Sequence, residues 1–396
     1  MSYRVQAVSI NASRVIYALN WFNIAPGLKY ISADLDLQIV QLGIMTTAFY
    51  LGLALFQMVG GLLASRIGNL LTSVLGISIL GISVIFTGLS YNLTELFLSR
   101  LFAGIGSALF FSPALGLLAE LVPKSSYSFY VGLFNGSFNL GGGLGILGWN
   151  FLDQFLGWRV GFFIAGGLML ALAIENLVAL RGYRHDPASR GRVFRRAGDV
   201  LRHPLIWLLP LIALSGILTE TLIGQFFVYY SETSLHFSEN LASSLATVYL
   251  LVGFAGGIMG GYLFGVVKRR ILMFLSSVVL LSVLTIGIAY ISSYLFLLIL
   301  VIAMGVITVN TLSMLYTLVV ERASDRGMIS FSLAFVNFLQ NLIGAFSPSI
   351  FSLIAFYRGY ETSWTVIGAI GIACAMAGLT LGRELKSELR VSQIKL

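Results

Sequence analysis

The chain has 396 residues, of which 58% are hydrophobic and only 10% charged, against about 25% charged in ordinary soluble domains. Its net charge is +8, its mean hydropathy is +0.92 and it holds one cysteine, Cys374. Lipid must solvate most of such a surface, and neither an intrachain disulfide nor a thiol metal site can form.

An apolar helix of about 20 residues crosses a bilayer. Runs of that kind occur at 10–30, 40–64, 69–89, 95–121, 126–150, 158–181, 204–231, 239–265, 270–291, 294–319, 328–355 and 362–382. They predict an all-α membrane protein of twelve transmembrane helices, with residues 1–9 as a short cytoplasmic start. The breaks are brief and carry turn or charge signals, except at 182–203. That connector, with the flanking Arg181, holds arginines at 181, 184, 190, 192, 195, 196 and 202. It divides the chain into a bundle over 1–181 and a second over 204–382, followed by a tail at 383–396.

Orientation follows from the basic residues. Lys29, Arg100, Arg159 and Arg358 fall on or near one face, which leaves 24 − 4 = 20 Lys and Arg on the other. The N-terminus, connector and tail are therefore expected in the cytoplasm of a multi-pass protein of the cell membrane. The basic excess is a topology signal with some attraction to anionic lipid, so nucleic acid is not an expected partner.

The sequence is also written twice. Asn135, Asn139 and Gly142 recur 202 residues later as Asn337, Asn341 and Gly344. Gly60-Gly61 recurs as Gly260-Gly261, and Gly104 with Glu120 as Gly305 with Glu321, at offsets of 200 and 201. Two similar bundles side by side leave a seam, and a seam that opens to either side can carry a solute across. Gly is abundant within helices, where small residues let backbones pack closely.

Polar groups at membrane depth are costly and mark function or buried bonding. Two acids lie well inside the spans, Glu220 and Glu175. Glu220, beside Thr221 and below Gln225, is the first candidate for proton coupling, because desolvation disfavours the charged form of a carboxylic acid. A structural hydrogen bond or a place near the outer mouth is the alternative. Glu175 lies about six residues from Arg181, near a helix end, where it can reach polar surroundings. Asn135 and Asn139 share one helix face, as do Asn337 and Asn341. With Gln340 they place amides at similar depth on repeat-related helices, where solute binding and inter-helix bonding fit equally well. Asn20 and Trp21 in the first span, Gln57 in the second, Gln225 in the seventh and Asn310 in the tenth complete the cavity candidates. Arg100 is the basic residue best placed to reach solute, or else to pair with helix ends or Glu95; Arg14 sits close to an inner end. No phosphate-binding loop, metal cluster or catalytic triad occurs, so no cofactor, no metal and no enzymatic activity are expected.

The local motifs carry a resemblance. Gly61-Leu62-Leu63-Ala64-Ser65-Arg66-Ile67-Gly68-Asn69 resembles the G-x-L-A-D-R-x-G-R loop of the major facilitator superfamily. Arg100, Gly104 and Gly106 resemble its R-x-x-x-G-x-G pattern, and Gly157-Trp158-Arg159 its G-W-R. Together with the repeat, the resemblance covers the whole chain. It implies two pseudo-symmetric six-helix bundles, alternating access, a monomer as the working unit, and gating or coupling roles for Gly61, Ser65, Arg66, Gly68 and Arg100. Ser65 stands where the family carries Asp, which removes a charge facing a helix dipole worth about 0.3–1 kcal/mol. The loop's repeat is degenerate, with Gly265 at that position. The antiporter pattern G-P-x-x-G-G is absent from the fifth helix, which counts against a drug-efflux antiporter.

The sequence thus reads as a secondary transporter of a small organic solute, neutral or singly charged, with proton coupling through Glu220 left open. A drug or lipid exporter of the same fold and a passive uniporter are the rivals. A membrane sensor or scaffold is disfavoured, since the connector and tails leave little room for a signalling appendage.

Overall fold

The structure, a computed structural model, describes residues 3–180, 201–202, 204–267, 269–322 and 329–393. Most of the basic connector lies outside the described residues. The first half contains α1 (Tyr3–Trp21), α2 (Leu28–Asp34), α3 (Ile39–Ile67), α4 (Asn69–Gly88), α5 (Leu93–Leu121), α6 (Lys124–Leu156) and α7 (Trp158–Ala179). The second contains α8 (Leu205–Ile212), α9 (Leu214–Gln225), α10 (Phe227–Thr233), α11 (Glu239–Val266), α12 (Arg270–Gly287), α13 (Tyr294–Arg322), α14 (Ile329–Gly344), α15 (Ser347–Arg358) and α16 (Tyr360–Gln393). No strand occurs among the described residues.

Eight spans among the described residues are long and apolar enough to cross a membrane, and the bent pair α8–α9 makes a ninth. The more polar α1, α6 and α16 occupy the first, fifth and twelfth predicted positions.

Three predicted spans are broken rather than continuous. The first ends at Trp21, and residues 22–27 turn around Pro26 before α2 begins. The seventh is interrupted at Ala213 and again at Phe226, with a 45° bend between α8 and α9. Pro210 lies in the turn before that bend, where its ring removes one backbone hydrogen bond. The eleventh breaks at Ala345-Phe346, and Pro348 opens α15. Elsewhere the stops are sharp. Gly68, Gly157 and Gly359 join consecutive helices at φ of 93°, 82° and 84°, a left-handed conformation that a side chain would strain.

The repeat is visible as packing. A Cβ on Gly104 of α5 would meet the Phe49 carbonyl of α3, and one on Gly305 of α13 would meet the Tyr249 carbonyl of α11. The two glycines thus hold equivalent helix pairs at backbone contact. On α6, Gly141 and Gly145 face α1 while Gly143 faces α11 of the other half. The Thr247 hydroxyl donates to the Gly143 carbonyl at 3.2 Å, so this helix forms part of the seam. On its other side the seam is formed by α3 against α14 and α15. Many large apolar side chains on the outer faces are exposed, Phe86 and Phe102 among them. Lipid solvates that surface.

Candidate functional site

Between the halves lies a cavity of about 240 Å³. The first half supplies Arg14, Tyr17 and Trp21 from α1, Tyr50 and Gln57 from α3, and Asn135 and Asn139 from α6. The second half supplies Glu220 and Thr221 from α9, Tyr316 from α13, and Asn337 and Asn341 from α14. The repeated asparagine pairs therefore meet at one chamber from pseudo-symmetric helices. Asn341 donates to Gln57 Oε1 at 3.4 Å across the seam and to Asn337 O at 2.9 Å. Tyr316 donates to Asn337 Oδ1 at 3.4 Å.

Glu220 makes no hydrogen bond and no ion pair among the described residues. It shares the chamber with Arg14, which acts on it electrostatically from the opposite half. Arg14 is 6% exposed, and its guanidinium lies against the rings of Tyr17, Phe111, Phe134 and Phe138. Far from staying near the helix end, it projects into the chamber. Its spacing to Tyr17 and Trp21, three and seven residues on, puts all three on one helix face. That periodicity was the signal available in the sequence.

The remaining predicted residues lie elsewhere. Gln225 sits just past the chamber and donates to the Trp21 carbonyl at 3.2 Å and to the Tyr50 hydroxyl at 3.4 Å. It ties the broken end of α1 to the broken end of α9, and 225 − 21 = 204 places the two breaks at nearly repeat-related positions. Asn20, Asn310 and Gln340 are buried but do not line the chamber. Glu175 is exposed on α7 and accepts from the Ser9 hydroxyl at 2.9 Å, away from the seam. Arg100 is wholly buried within the first half, donating to Asn23 Oδ1 at 3.3 Å and lying 4.8 Å from the Phe49 ring centroid, not against Glu95. Glu95 instead helps cap the start of α5, its amide donating to Asn92 Oδ1 at 3.0 Å and its carboxylate accepting from the Tyr91 amide at 2.8 Å.

In the Gly61–Asn69 loop, a Cβ on Gly61 would touch nothing, whereas one on Gly60 would press on the Ala108 carbonyl at 2.9 Å. The packing glycine is thus Gly60, not Gly61. Gly68 supplies the helix junction, Arg66 is exposed, and Ser65's side chain lies outside the described residues. Asn69 donates to Glu120 at 3.0 Å and so braces the start of α4 against the end of α5. In Gly157-Trp158-Arg159, Arg159 donates to the Gly88 and Ser90 carbonyls at 2.9 and 2.8 Å and to Asp34 at 3.0 Å.

The seam is closed on one side of the chamber, the side bearing Lys29. Lys29 pairs with Glu239 at 3.4 Å, Asn150 and Gln154 donate to Asn240 Oδ1 at 3.0 and 3.1 Å, and Thr47 meets Ser349 at 2.8 Å. Two acids are buried at this end. Asp153 lies against Gly27 and Gly161, and burial pushes its carboxyl up to about 7. Glu232 also rises to about 7, chiefly through burial, with Lys29 opposing and Glu239 adding to the shift. Neither Glu232 oxygen, nor Asp153 Oδ2, has a hydrogen-bond partner among the described residues.

A twofold-repeated helical bundle with a polar chamber at its seam defines a multi-pass membrane transporter. The Major Facilitator Superfamily profile matches residues 10–348 and, in a second alignment, 211–394. The chain belongs to that superfamily. It is 27% identical over 168 residues to the quinolone resistance protein NorA of Staphylococcus aureus, covering 41% of each chain. It is 28% identical over 165 residues to a probable sphingolipid transporter, spinster homolog 1 of Arabidopsis thaliana, covering 40% of this chain and 34% of that one. The matched segments thus span less than half of either relative. A bacterial homolog of the human lysosomal transporter Spinster, in an inward-facing and occupied conformation, superposes with a TM-score of 0.80 at 16% identity, covering 95% and 96% of the two chains. Its unoccupied form gives 0.75 at 17% identity. These likenesses establish the fold.

Proposed function

We propose that the protein moves a small amphiphilic organic solute through the central chamber by alternating access, coupled to protons at Glu220. The observation that carries this reading is an intramembrane carboxyl facing the chamber with no hydrogen bond or ion pair among the described residues to commit it. Such a group can exchange a proton with whichever side the chamber opens to. The aromatic and amide lining offers stacking and hydrogen bonds for a solute with one polar end. In the orientation given by the basic residues, the Lys29 side is external, the termini are cytoplasmic and the closed side of the seam is the external one. The repeat units are the bundles over 1–181 and 204–382, working as one monomer in the cell membrane. Lipid is its other partner.

The second reading is export of drugs or lipids against protons. It is favoured by the names of the relatives, a quinolone resistance protein and a probable sphingolipid transporter. This is the class against which the missing G-P-x-x-G-G pattern counts.

The test is a proteoliposome with a pH dye inside and solutes added outside: sugars, amino acids, carboxylates and lipophilic cations or lipids. A solute that alters internal pH through the protein supports coupling, and the sign of the change separates symport from antiport. Labelled solute crossing without any pH change would make the protein a uniporter.

A further inference from the structure

Arg14 lines the chamber, which sets it apart from Arg100, a buried arginine with unbonded nitrogens of its own that lies away from it. Arg159 is satisfied by two carbonyls and a carboxylate. Arg14 is buried yet leaves Nε and Nη1 without a hydrogen-bond partner among the described residues. Its guanidinium carbon lies 4.6 Å from the ring centroid of Phe138, 4.7 Å from Phe111, 4.9 Å from Tyr17 and 5.0 Å from Phe134. Rings packed on a guanidinium stabilise the charge and fix its plane, but they accept none of its in-plane N–H bonds. Among the described residues no carboxylate lies within ion-pair distance, and Glu220 acts on it only across the chamber.

A ring-held cation that lines a cavity and has no carboxylate paired to it among the described residues is a docking point for an anion, because a guanidinium edge matches a carboxylate, sulfate or phosphate group. Among the described residues Arg14 is the one basic side chain lining the chamber. One cation offsets one negative charge. Beside the amides and Glu220, part of the wall is apolar or aromatic, with Trp21, Leu53, Ile217 and Leu312 within reach of a hydrocarbon body. We propose that the chamber takes an amphiphile with a single anionic head, docked on the guanidinium of Arg14. The proposal rests on the reading of the chamber as the transport site. It specifies the class of solute and does not depend on the coupling.

The test is equilibrium binding to the full chain in phosphatidylcholine nanodiscs, with four probes of one chain length: decanoate, decyltrimethylammonium, decylphosphocholine and decyl glucoside. Decanoate is expected to bind about tenfold more tightly than the glucoside, the loss of one charged contact being on the order of 1.4 kcal/mol. In Arg14→Gln that preference should vanish while glucoside binding changes less than about twofold, and Arg14→Lys should keep most of it. The wild-type ranking needs no variant, so a misfolded Arg14→Gln still leaves the proposal testable. Equal binding of decanoate and glucoside would overturn it. So would tighter binding of the cation or the zwitterion, or a uniform loss with all probes in Arg14→Gln that Arg14→Lys fails to rescue. A solute-evoked pH change with a neutral solute would leave the function standing while removing this assignment.

Discussion

Arg14 and Glu220 stand on opposite halves of the molecule, face the same chamber and interact electrostatically without reaching ion-pair contact. A contact between them would lock the seam at its midpoint. Held apart, each remains free for a ligand, the arginine for an anion and the carboxyl for a proton.

Glu175 is the control for that assignment. It is exposed on α7 and bonded to Ser9, so Glu175→Gln is expected to retain solute-evoked pH changes within about twofold. Proteoliposome flux measured beside the wild type checks this. A loss of coupling as deep as that of Glu220→Gln would move the proton site to α7.

Gly104 and Gly305 each hold a helix against a neighbour's backbone carbonyl, which cannot yield as a flexible side chain would. Gly104→Ala and Gly305→Ala should each destabilise by about 1–3 kcal/mol, the usual cost of overpacking. Gly61→Ala, with open space beside it, should be neutral. Thermal unfolding in detergent separates the three.

The Lys29 side of the seam must part for the chamber to open that way. Asn150→Cys with Asn240→Cys, in a Cys374→Ser background, should be bridged by a short reducible thiol cross-linker, since the native side chains meet at 3.0 Å. Bridging should stop transport and reduction should restore it. The Lys29–Glu239 pair itself is half exposed on the lysine side and contributes little, about 0–1 kcal/mol. Lys29→Ala should therefore leave folding intact.

Acid should favour this closed side. Asp153 and Glu232 lie past the ends of the predicted spans, and burial raises both to about 7. A carboxyl with a raised pKa holds its proton more tightly in the closed state than after opening admits water. Closure therefore gains as pH falls from about 7 toward the ordinary carboxylate range, and that gain is lost as pH rises through about 7. Energy transfer between dyes on Asp36→Cys and Ser238→Cys, again without Cys374, should report a shorter distance at acid pH. In Asp153→Asn with Glu232→Gln the dependence should disappear. Persistence of the full dependence in that double variant would assign it elsewhere.

Much of the fold was legible because the bilayer imposes a simple grammar of apolar runs separated by charged breaks. The repeat was legible in Asn135, Asn139, Gly104 and their counterparts, since close backbone approach and polar groups at depth tolerate few substitutes. The helix breaks at Trp21, Phe226 and Ala345 were not, because an apolar run reads alike whether it is straight or unwound. Arg14 was underrated for its place near a helix end in the sequence, although its face is shared with Tyr17 and Trp21. Asn20, Gln225 and Gln340 show the converse: polarity at depth marks burial, and only packing decides whether the group faces a chamber or a neighbouring helix.

The most direct test of the account compares two modes of transport in Glu220→Gln, once a solute is in hand. Counterflow exchange of labelled for unlabelled solute needs only alternating access, whereas accumulation driven by a pH gradient needs the proton site. The account predicts that Glu220→Gln keeps exchange within a few-fold of wild type and loses accumulation. Accumulation that survives in the variant would contradict it.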